Sequence, residues 1–351
     1  MGINEVFELL GGLALFLFGM NVMSHALERF AGNQMKTIFS KLTSNKFKGF
    51  LLGLVVTALI QSSSATTVMV VGFVNSGIMT LSQSVGIIMG ANVGAAVTPL
   101  LLSLSLLGDG GGSINVVTIL SAVLGVAGVL QYCFLKGNSR RKNLGLIMIG
   151  FAVLMYGMSA MSDAVSPLRD SQVFIDALTS FSNPLLGILV GLLFTSVIQS
   201  ASAAVGILQA LAVTGAITFE IALPIIMGIA IGAAVPVLLS ALGANVSGKR
   251  TAFVYLLIDT LGVVIWATVF YAVNAIVHFD FLTMTMTAVS IALMNTLFRL
   301  ATVIVLAPLI GVLEKCVCLL IPENPESVRE EQEMDRLEER LQARGVRKAE
   351  P

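Results

Sequence analysis

The chain has 351 residues, of which 56% are hydrophobic and only 11% are charged, and its formal net charge is zero. A soluble domain usually carries about 25% charged residues, so this composition excludes a soluble globular protein and predicts a polytopic helical membrane protein. The three cysteines lack zinc-type spacing and the two histidines are isolated. The sequence therefore argues against a metal centre, a catalytic triad and an enzyme.

The predicted elements of the first part of the chain follow one another without overlap. They are an apolar helix over 5–30, a polar connector over 31–45, two short apolar segments over 46–60 and 65–75, a glycine-rich interrupted helix over 80–107 and a full span over 114–135. Acidic residues flank the first span where a signal peptide has basic ones, so we expect this span to be retained. The strip GDGGGS over 108–113 is predicted to be a flexible turn outside the membrane.

The two short apolar segments are separated by the polar cluster QSSS, which begins at Gln61. Neither segment is long enough to cross a hydrocarbon core of about 30 Å. We therefore interpret residues 46–76 as a re-entrant hairpin with the Gln-Ser cluster at its tip, inside the protein. An alternative is one continuous helix of about 30 residues whose serines face a neighbouring helix, as serines in membrane helices often do.

The whole arrangement recurs 138 positions later, where QSAS begins at Gln199. Glutamine, serine and glycine fall in register between the two copies, which composition alone does not readily explain. The second copy comprises a helix over 143–163, a connector over 164–182, short segments over 184–198 and 203–213 that form a hairpin over 184–214, an interrupted helix over 218–242 and a span over 251–277. We predict an all-α membrane fold with two inverted-topology repeats, residues 1–142 and 143–282. A final transmembrane helix over 283–321 and a charged tail over 322–351 complete the chain.

The basic residues predict the topology of these repeats. Lysine and arginine cluster in the connector 31–45, at the start of the first hairpin, between the repeats over 136–142, and at Lys249 and Arg250. If both hairpins enter and leave on one side, each repeat makes three crossings and every basic loop is cytoplasmic, as the positive-inside rule requires. We therefore expect a multi-pass protein of the cell membrane with its amino terminus outside and its tail in the cytoplasm.

Two opposed hairpin tips that meet near the membrane midplane can bind ions. The second helix of each hairpin begins at the tip, where its first N–H groups have no intrahelical partner and carry partial positive charge. Such ends bind anions without help from lysine or arginine. Amide oxygens, hydroxyls and free carbonyls around Gln61 and Gln199 are hard ligands suited to Na⁺. Donors for an oxyanion beside acceptors for a cation predict a cotransport site.

Three further features lie within predicted spans. Two glycines flank Asn92 in Gly90–Gly94, which either interrupts the helix or permits close helix packing. The charges Asp259 and Arg299 are functional candidates by default, and we expect them to form a structural charge pair. His25, near the cytoplasmic end of the first helix, is interpreted as an interfacial or packed residue rather than a proton relay.

The motifs QSSSATT (61–67), GANVG (90–94), QSASA (199–203) and GANVSGKRTAFVYLLIDTLG (243–262) resemble those of the sodium/phosphate cotransporter family, the type II Na⁺/Pi cotransporters and their bacterial relatives. The resemblance covers about residues 10–310. It implies Na⁺-coupled symport of inorganic phosphate by alternating access, and a homodimer. The implied phosphate-binding residues are Ser62, Ser63, Ser64, Asn92, Ser200 and Ser202. The implied Na⁺ ligands are Gln61, Ser64, Thr66, Gln199, Ser200 and Ser202.

The sequence departs from the family pattern at four positions. Ala95 stands where the family motif has threonine, Ala201 where it usually has serine, and Ala230 where an asparagine would match Asn92. Asp259 stands where many relatives have asparagine. Fewer oxygens in the second repeat leave the Na⁺ count and the substrate open. The tail over 322–351 is either a solvated cytoplasmic tail or the stub of a PhoU-like domain.

Two other functions stay open from the sequence alone. One is transport of another small anion, or export of phosphate. The other is a membrane scaffold or sensor that transports nothing.

Overall fold

The structure, a computed structural model, describes residues 3–31, 46–105, 116–134, 139–167 and 180–322. Within these ranges the protein is all-helical, apart from an isolated β-bridge between Thr218 and Thr285. The first six helices are α1 (Ile3–Ala31), α2 (Lys46–Ile60), α3 (Ser63–Asn75), α4 (Leu81–Gly94), α5 (Val97–Ser105) and α6 (Val116–Phe134). The others are α7 (Ser139–Val165), α8 (Pro184–Ile198), α9 (Ala201–Leu211), α10 (Phe219–Gly232), α11 (Val235–Ser240), α12 (Val246–Val277), α13 (Ala288–Leu306) and α14 (Ile310–Leu320).

Six apolar stretches of the described helices are long enough to cross a membrane. They are Ile3–Leu27, Leu81–Ser103, Arg141–Val165, Phe219–Ser240, Val246–Val277 and Ala288–Leu320. The predicted span over 114–135 corresponds to α6, whose apolar stretch Ser121–Phe134 is shorter than these six. The prediction of an all-α, polytopic membrane protein is thus confirmed. The connector 31–45, the strip 108–113, the tail after residue 322 and most of the connector 164–182 lie outside the described residues.

Helices α1 to α6 recur, in the same order, as α7 to α12. The paired helices α2 and α8 both have 15 residues, and the pair α4 and α10 both have 14. Gly77 and Gly215, which follow the second short helix of each half, both have φ of 71°. Equal helix lengths and equal turn geometry at one sequence offset indicate that the same local structure is built twice.

Glycines let the first short helix of each half pack backbone to backbone on the long helix that follows it. A Cβ at Gly53 would lie 2.0 Å from the carbonyl oxygen of Ile87, and a Cβ at Gly191 would lie 2.1 Å from that of Ile225. Such distances exclude any side chain at these positions. The short helices α2 and α8 are therefore fixed to α4 and α10 by contacts that no larger residue permits.

The long helix is interrupted after Gly94 and not within Gly90–Gly94, so of the two alternatives for these glycines the structure has close helix packing. Helix α4 continues through Gly94, and the turn falls at Ala95 and Ala96. The equivalent turn in the second half falls at Ala233 and Ala234. Gly90 and Gly94 serve helix packing, because their missing side chains admit the backbone of α2.

The substitution Gly90→Ala tests this packing. A Cβ at Gly90 would lie 1.9 Å from the Phe50 carbonyl oxygen, so α2 and α4 must separate. We expect a loss of about 1–3 kcal/mol in the free energy of unfolding, the usual effect of overpacking. The matched control is Gly72→Ala in α3, where a Cβ meets nothing within 4 Å; it should leave stability unchanged or higher. Equal melting temperatures for the two variants in detergent would contradict the packing role.

Helices α1 and α7 cross in an antiparallel arrangement. A Cβ at Gly19 would lie 2.7 Å from the Gly150 carbonyl oxygen, and a Cβ at Gly157 would lie 2.7 Å from that of Gly12. The sequence repeat pairs Gly12 with Gly150 and Gly19 with Gly157. Each glycine therefore packs against the repeat partner of the other glycine, as two helices related by a twofold axis do.

Several element boundaries differ from the sequence-based ones. The second short helices begin at Ser63 and Ala201, two residues earlier than predicted, because Ser62 and Ser200 cap them. Helix α12 begins at Val246 rather than at residue 251, capped by Asn245, so Asp259 lies deeper in it than predicted. The final span divides into α13 and α14, since a 3₁₀ turn that contains Pro308 separates them.

Candidate functional site

Both Gln-Ser doublets break the helix in the same way. Gln61 and Gln199 adopt the left-handed conformation, with φ of 60° and 58°. Their backbone N–H groups donate to the backbone carbonyl oxygens of Thr57 and Thr195, at 2.6 and 2.7 Å. A left-handed glutamine is strained, and such strain is concentrated at functional sites. Among the described residues, His278 is the other non-glycine residue with positive φ.

The serine after each glutamine starts the next helix. Ser62 and Ser200 are extended, with φ of −141° and −144°. Their hydroxyl oxygens accept protons from the backbone N–H groups of Ala65 and Ala203, at 3.1 and 3.2 Å. This N-cap satisfies one N–H group of each helix, and each hydroxyl keeps its own proton for another acceptor. The two helix starts thus present the same unfilled donors.

The two breaks line one cavity of about 210 Å³. Ten of its lining residues come from the breaks: Ile60, Gln61, Ser62, Ser63, Ser64, Ala65, Gln199, Ser200, Ala201 and Ser202. The remaining four come from α1: Met20, Asn21, Ser24 and His25. None of these residues is lysine, arginine, aspartate or glutamate, so any charge bound here meets dipoles and hydroxyls. A cavity that holds a water needs only about 10–15 Å³, so there is room for a small ion with part of its hydration shell.

The two glutamines differ in environment although their backbones match. Gln61 is buried, with 8% exposure, and its Oε1 has no hydrogen-bond partner among the described residues. Gln199 is exposed. An unpaired buried amide oxygen costs free energy, and a bound cation would remove that cost. The cavity is therefore asymmetric, with one orphaned acceptor on the side of the first break.

The first break is anchored to the second half of the chain. The hydroxyl of Ser63 lies 3.1 Å from that of Tyr255 in α12, which is fully buried. Ser64 donates to the carbonyl oxygen of Ala233, at 3.3 Å. Ala233 belongs to the turn that interrupts the second long helix. Movement of this tip is therefore coupled to α12 and to the interruption between α10 and α11.

Thr66 lies behind the first break and does not line the cavity. Its hydroxyl accepts a hydrogen bond from Thr57, at 3.0 Å, and donates to the Ser62 carbonyl oxygen, at 3.0 Å. Thr57 and Thr66 stand on opposite sides of the break, so their contact requires the chain to turn back sharply there. In the second half, alanine takes the place of Thr66, and the Thr195 hydroxyl has no partner among the described residues.

Asn92 is part of a buried charged network and is not among the residues that line the cavity. Its Nδ2 donates to Oδ1 of Asp259, and Nη1 of Arg299 donates to its Oδ1. Nη1 of Arg299 also donates to the Asn92 carbonyl oxygen, at 3.3 Å, and its Nε donates to Asn295, at 3.2 Å. Asn92, Asp259 and Arg299 are each at most 2% exposed.

The expected direct pair of Asp259 and Arg299 is therefore replaced by a bridge. The side chain of Asn92 lies between the two charges. It donates a hydrogen bond to the Asp259 carboxylate and accepts one from the Arg299 guanidinium. Within the described residues no ion pair joins Asp259 to Arg299 at 4.0 Å or less. An amide can bridge in this way because it is both a donor and an acceptor.

The structure thus brings seven of the sequence-predicted site residues to one cavity: Gln61, Ser62, Ser63, Ser64, Gln199, Ser200 and Ser202. It does not bring Thr66, Asn92, Asp259 or Arg299 there. Sequence reasoning missed the contribution of α1, since it placed His25 at the interface or in packing. The signal was available: Asn21, Ser24 and His25 are spaced by three and four residues and share one face of an apolar helix.

The comparisons with known proteins match one family over most of the chain. The family model described as "Na+/Pi-cotransporter" matches residues 15–163 and 168–291. "Uncharacterized protein YqeW" of Bacillus subtilis is 28% identical over 88% of this chain and 96% of its own length. "Putative inorganic phosphate export protein YjbB" of Escherichia coli is 30% identical over 73% of this chain, but the match covers 45% of that protein.

A human relative, "Sodium-dependent phosphate transport protein 2B", is 36% identical over 110 residues, which are 31% of this chain and 16% of the relative. No solved structure is detectably similar to the chain.

Proposed function

Because the chain belongs to the Na⁺/Pi-cotransporter family, we propose that it is a secondary active transporter that couples inorganic phosphate to Na⁺ by alternating access. The family is one of transporters and not of enzymes, and several of its relatives are named for the export or the sodium-dependent transport of phosphate. The observation that carries the proposal is the single cavity shared by both Gln-Ser breaks.

Phosphate is assigned to the two helix starts. Helices α3 and α9 begin at the cavity wall and point the positive ends of their dipoles toward it. Backbone N–H groups of the first turn and the hydroxyls of Ser62, Ser200 and Ser202 are the donors. The hydroxyls of Ser63 and Ser64 join them only when they exchange their present partners, Tyr255 and the Ala233 carbonyl oxygen. Neutral donors suit a substrate that must leave again, because they bind an anion less tightly than a fixed cation does.

Na⁺ is assigned to the oxygens beside these donors. The Oε1 of Gln61 is buried and unpartnered, and the Gln199 amide and the hydroxyls of Ser64, Ser200 and Ser202 line the same cavity. Two opposite unit charges about 4 Å apart attract by about 4 kcal/mol at an effective dielectric constant of 20. In a cavity lined by no lysine, arginine, aspartate or glutamate, each ion therefore strengthens the binding of the other, which is the basis of coupling.

We further propose that both broken pairs are re-entrant hairpins in inverted repeats. The Thr57–Thr66 hydrogen bond supports a chain reversal at the first tip, and the antiparallel crossing of α1 and α7 supports opposite orientation of the two halves. The repeats would comprise residues 1–142 and 143–282, with the amino terminus outside and the carboxyl-terminal end in the cytoplasm. This arrangement would place the cavity near the membrane midplane.

Transport by purified protein in proteoliposomes tests the proposal. We expect [³²P]phosphate to accumulate against its own gradient when Na⁺ is higher outside, and its uptake to fall to the level of protein-free vesicles when K⁺ replaces Na⁺ on both sides. Uptake indifferent to the Na⁺ gradient would overturn Na⁺ coupling. Transport of another anion but not of phosphate would overturn the substrate.

The direction of transport needs a second arm, because one relative is named for phosphate export. Vesicles loaded with [³²P]phosphate and Na⁺ are diluted into Na⁺-free medium. A symporter should work in both directions according to the gradient, so efflux should depend on internal Na⁺. Efflux that proceeds at the same rate without Na⁺ would favour an exporter that does not use this ion.

A further inference from the structure

Four residues on two successive turns of α1 complete the wall of the cavity. Met20, Asn21, Ser24 and His25 lie on one helix face, and the Ser200 hydroxyl lies 3.9 Å from the Met20 sulfur. Polar groups in a membrane-spanning helix are costly and are retained where they serve a site or an aqueous path. The α1 face, as we call these four residues, therefore contributes ligands or wall to the ion site in this conformation.

Helix α7 carries the repeat-equivalent face. A shift of 138 positions converts the α1 face into Met158, Ser159, Ser162 and Asp163, which we call the α7 face. The methionine and one serine are kept, and the other two residues stay polar. Ser162 is only 4% exposed, and its hydroxyl has no partner among the described residues. A buried serine without a hydrogen bond is unfavourable, so a second arrangement in which it meets water or an ion would relieve that cost.

The glycine contacts relate the two faces by an approximate twofold axis. Gly12 of α1 contacts Gly157 of α7, and Gly19 contacts Gly150. In the sequence repeat, Gly157 is the equivalent of Gly19, and Gly150 is the equivalent of Gly12. The α1 face and the α7 face consequently lie toward opposite ends of the crossing. If the surroundings obeyed the same symmetry, both faces would line the cavity.

The surroundings do not obey it, because the cavity is lined by the α1 face and by no residue of α7. Of the α7 face, Met158 and Ser162 are buried, at 0% and 4% exposure, whereas Ser159 and Asp163 are exposed but lie outside the cavity lining. Two equivalent faces in unequal environments are the signature expected of one end state of a two-state transporter, whose other state exchanges the roles of the repeats.

We propose that the α7 face replaces the α1 face at the ion site when the cavity opens to the opposite side of the membrane. This inference rests on the proposed alternating-access function. It assigns Asn21, Ser24 and His25 to the site in one state, and Ser159, Ser162 and Asp163 to the same site in the other. The His25 imidazole therefore borders the ions in one state, and the Asp163 carboxylate borders them in the other state.

Thiol accessibility tests the exchange. In protein with Cys133, Cys316 and Cys318 replaced by alanine, single cysteines are placed by Ser24→Cys and Ser162→Cys, and a charged, membrane-impermeant thiosulfonate is added from either side of the vesicle. We expect Ser24→Cys to react from one side and Ser162→Cys from the opposite side. A minor state populated at about 0.1–10% would make the Ser162→Cys reaction roughly 10- to 1,000-fold slower than that of Ser24→Cys.

Substrate should change the two rates in opposite directions. Na⁺ and phosphate shift the population between the two conformations. If they slow the reaction of one cysteine in this way, they should speed the reaction of the other. Met20→Cys and Met158→Cys form a second pair, in case Ser162→Cys folds poorly, because Met158 is also buried in this conformation. The controls are Phe18→Cys and Tyr156→Cys, which also differ by 138 positions and whose parent side chains are 61% and 48% exposed on the outer surface of the bundle; their thiols should react from neither side in a bilayer.

Reaction of the α1-face and α7-face cysteines from the same side would overturn the exchange, as would rates that rise and fall together. An unreactive α7 face in folded protein that still transports phosphate would also overturn it. These outcomes are separate from failure of the proposed function, since the same vesicles are assayed for Na⁺-driven phosphate uptake. Absence of that uptake would contradict the function, whatever the labelling pattern.

Discussion

Replacement of Gln61 or Gln199 by glycine is expected to reduce phosphate transport at low substrate concentration by about 10- to 150-fold. Glycine adopts the left-handed conformation of both positions without strain, so the break is kept and only the amide is lost. A hydrogen bond or ligand contact to a charged group contributes about 1.5–3 kcal/mol, and each 1.4 kcal/mol is tenfold in an equilibrium constant. Initial rates of [³²P]phosphate uptake at several Na⁺ concentrations measure the effect.

The matched control for this prediction is His278→Gly. His278 ends α12 in the same left-handed conformation, with φ of 54°, but it is exposed and does not line the cavity. Its replacement should leave the uptake rate unchanged. If both glutamine variants retain the rate of the unmodified protein, the Gln-Ser breaks do not hold the ions. If His278→Gly is equally impaired, the loss reflects altered helix ends and not the missing amides.

The largest loss of stability is expected from Arg299→Met. This change leaves the Asp259 carboxylate buried beside Asn92 with no positive charge nearby. Removal of one partner of a buried pair typically costs about 3–5 kcal/mol, mostly because the remaining charge is uncompensated. We expect a marked fall in the melting temperature of the purified protein and in its yield from membranes.

A second substitution separates charge from packing. The double variant Arg299→Met with Asp259→Asn removes both charges, so it should recover most of the lost stability. The control Lys46→Ala breaks the partly exposed contact of Lys46 with Glu314, at 3.6 Å, in which the side chains are 50% and 24% exposed, and it should change stability by no more than about 1 kcal/mol. A double variant no more stable than Arg299→Met would show that the guanidinium acts through its shape and not through its charge.

The sequence predicted the features that depend on local chemistry. A polar QS doublet within apolar segments cannot continue a membrane helix without cost, and both helices end at the residue before the glutamine. The 138-residue offset carried the same prediction to the second half. The all-helical fold, membrane location and membership of the phosphate-transporter family follow from apolar length and from motifs that occur together, and all are confirmed.

Other features depend on which helices become neighbours. From the sequence, Gly90 and Gly94 are equally consistent with a break in the helix and with a surface for helix packing. The close approach of the α2 backbone shows that they serve packing. Asn92 was assigned to the phosphate site because the resemblance of GANVG to the family motif implied it. Its role as a bridge depends on Asp259 and Arg299, which are distant in sequence.

The α1 face was missed for the same reason. The spacing of its polar residues marks a face of the first helix, but it does not indicate that this face meets Gln61 and Gln199, which are distant in sequence.

The central claim is that one phosphate ion binds between the two Gln-Ser breaks, and arsenate tests it most directly. Arsenate has the shape and charge of phosphate, and arsenic gives an anomalous X-ray signal. In crystals grown with Na⁺ and arsenate, we expect one anomalous peak in the cavity, within hydrogen-bond distance of the first N–H groups of both α3 and α9. A peak elsewhere in the protein, with the cavity free of arsenic, would contradict the account.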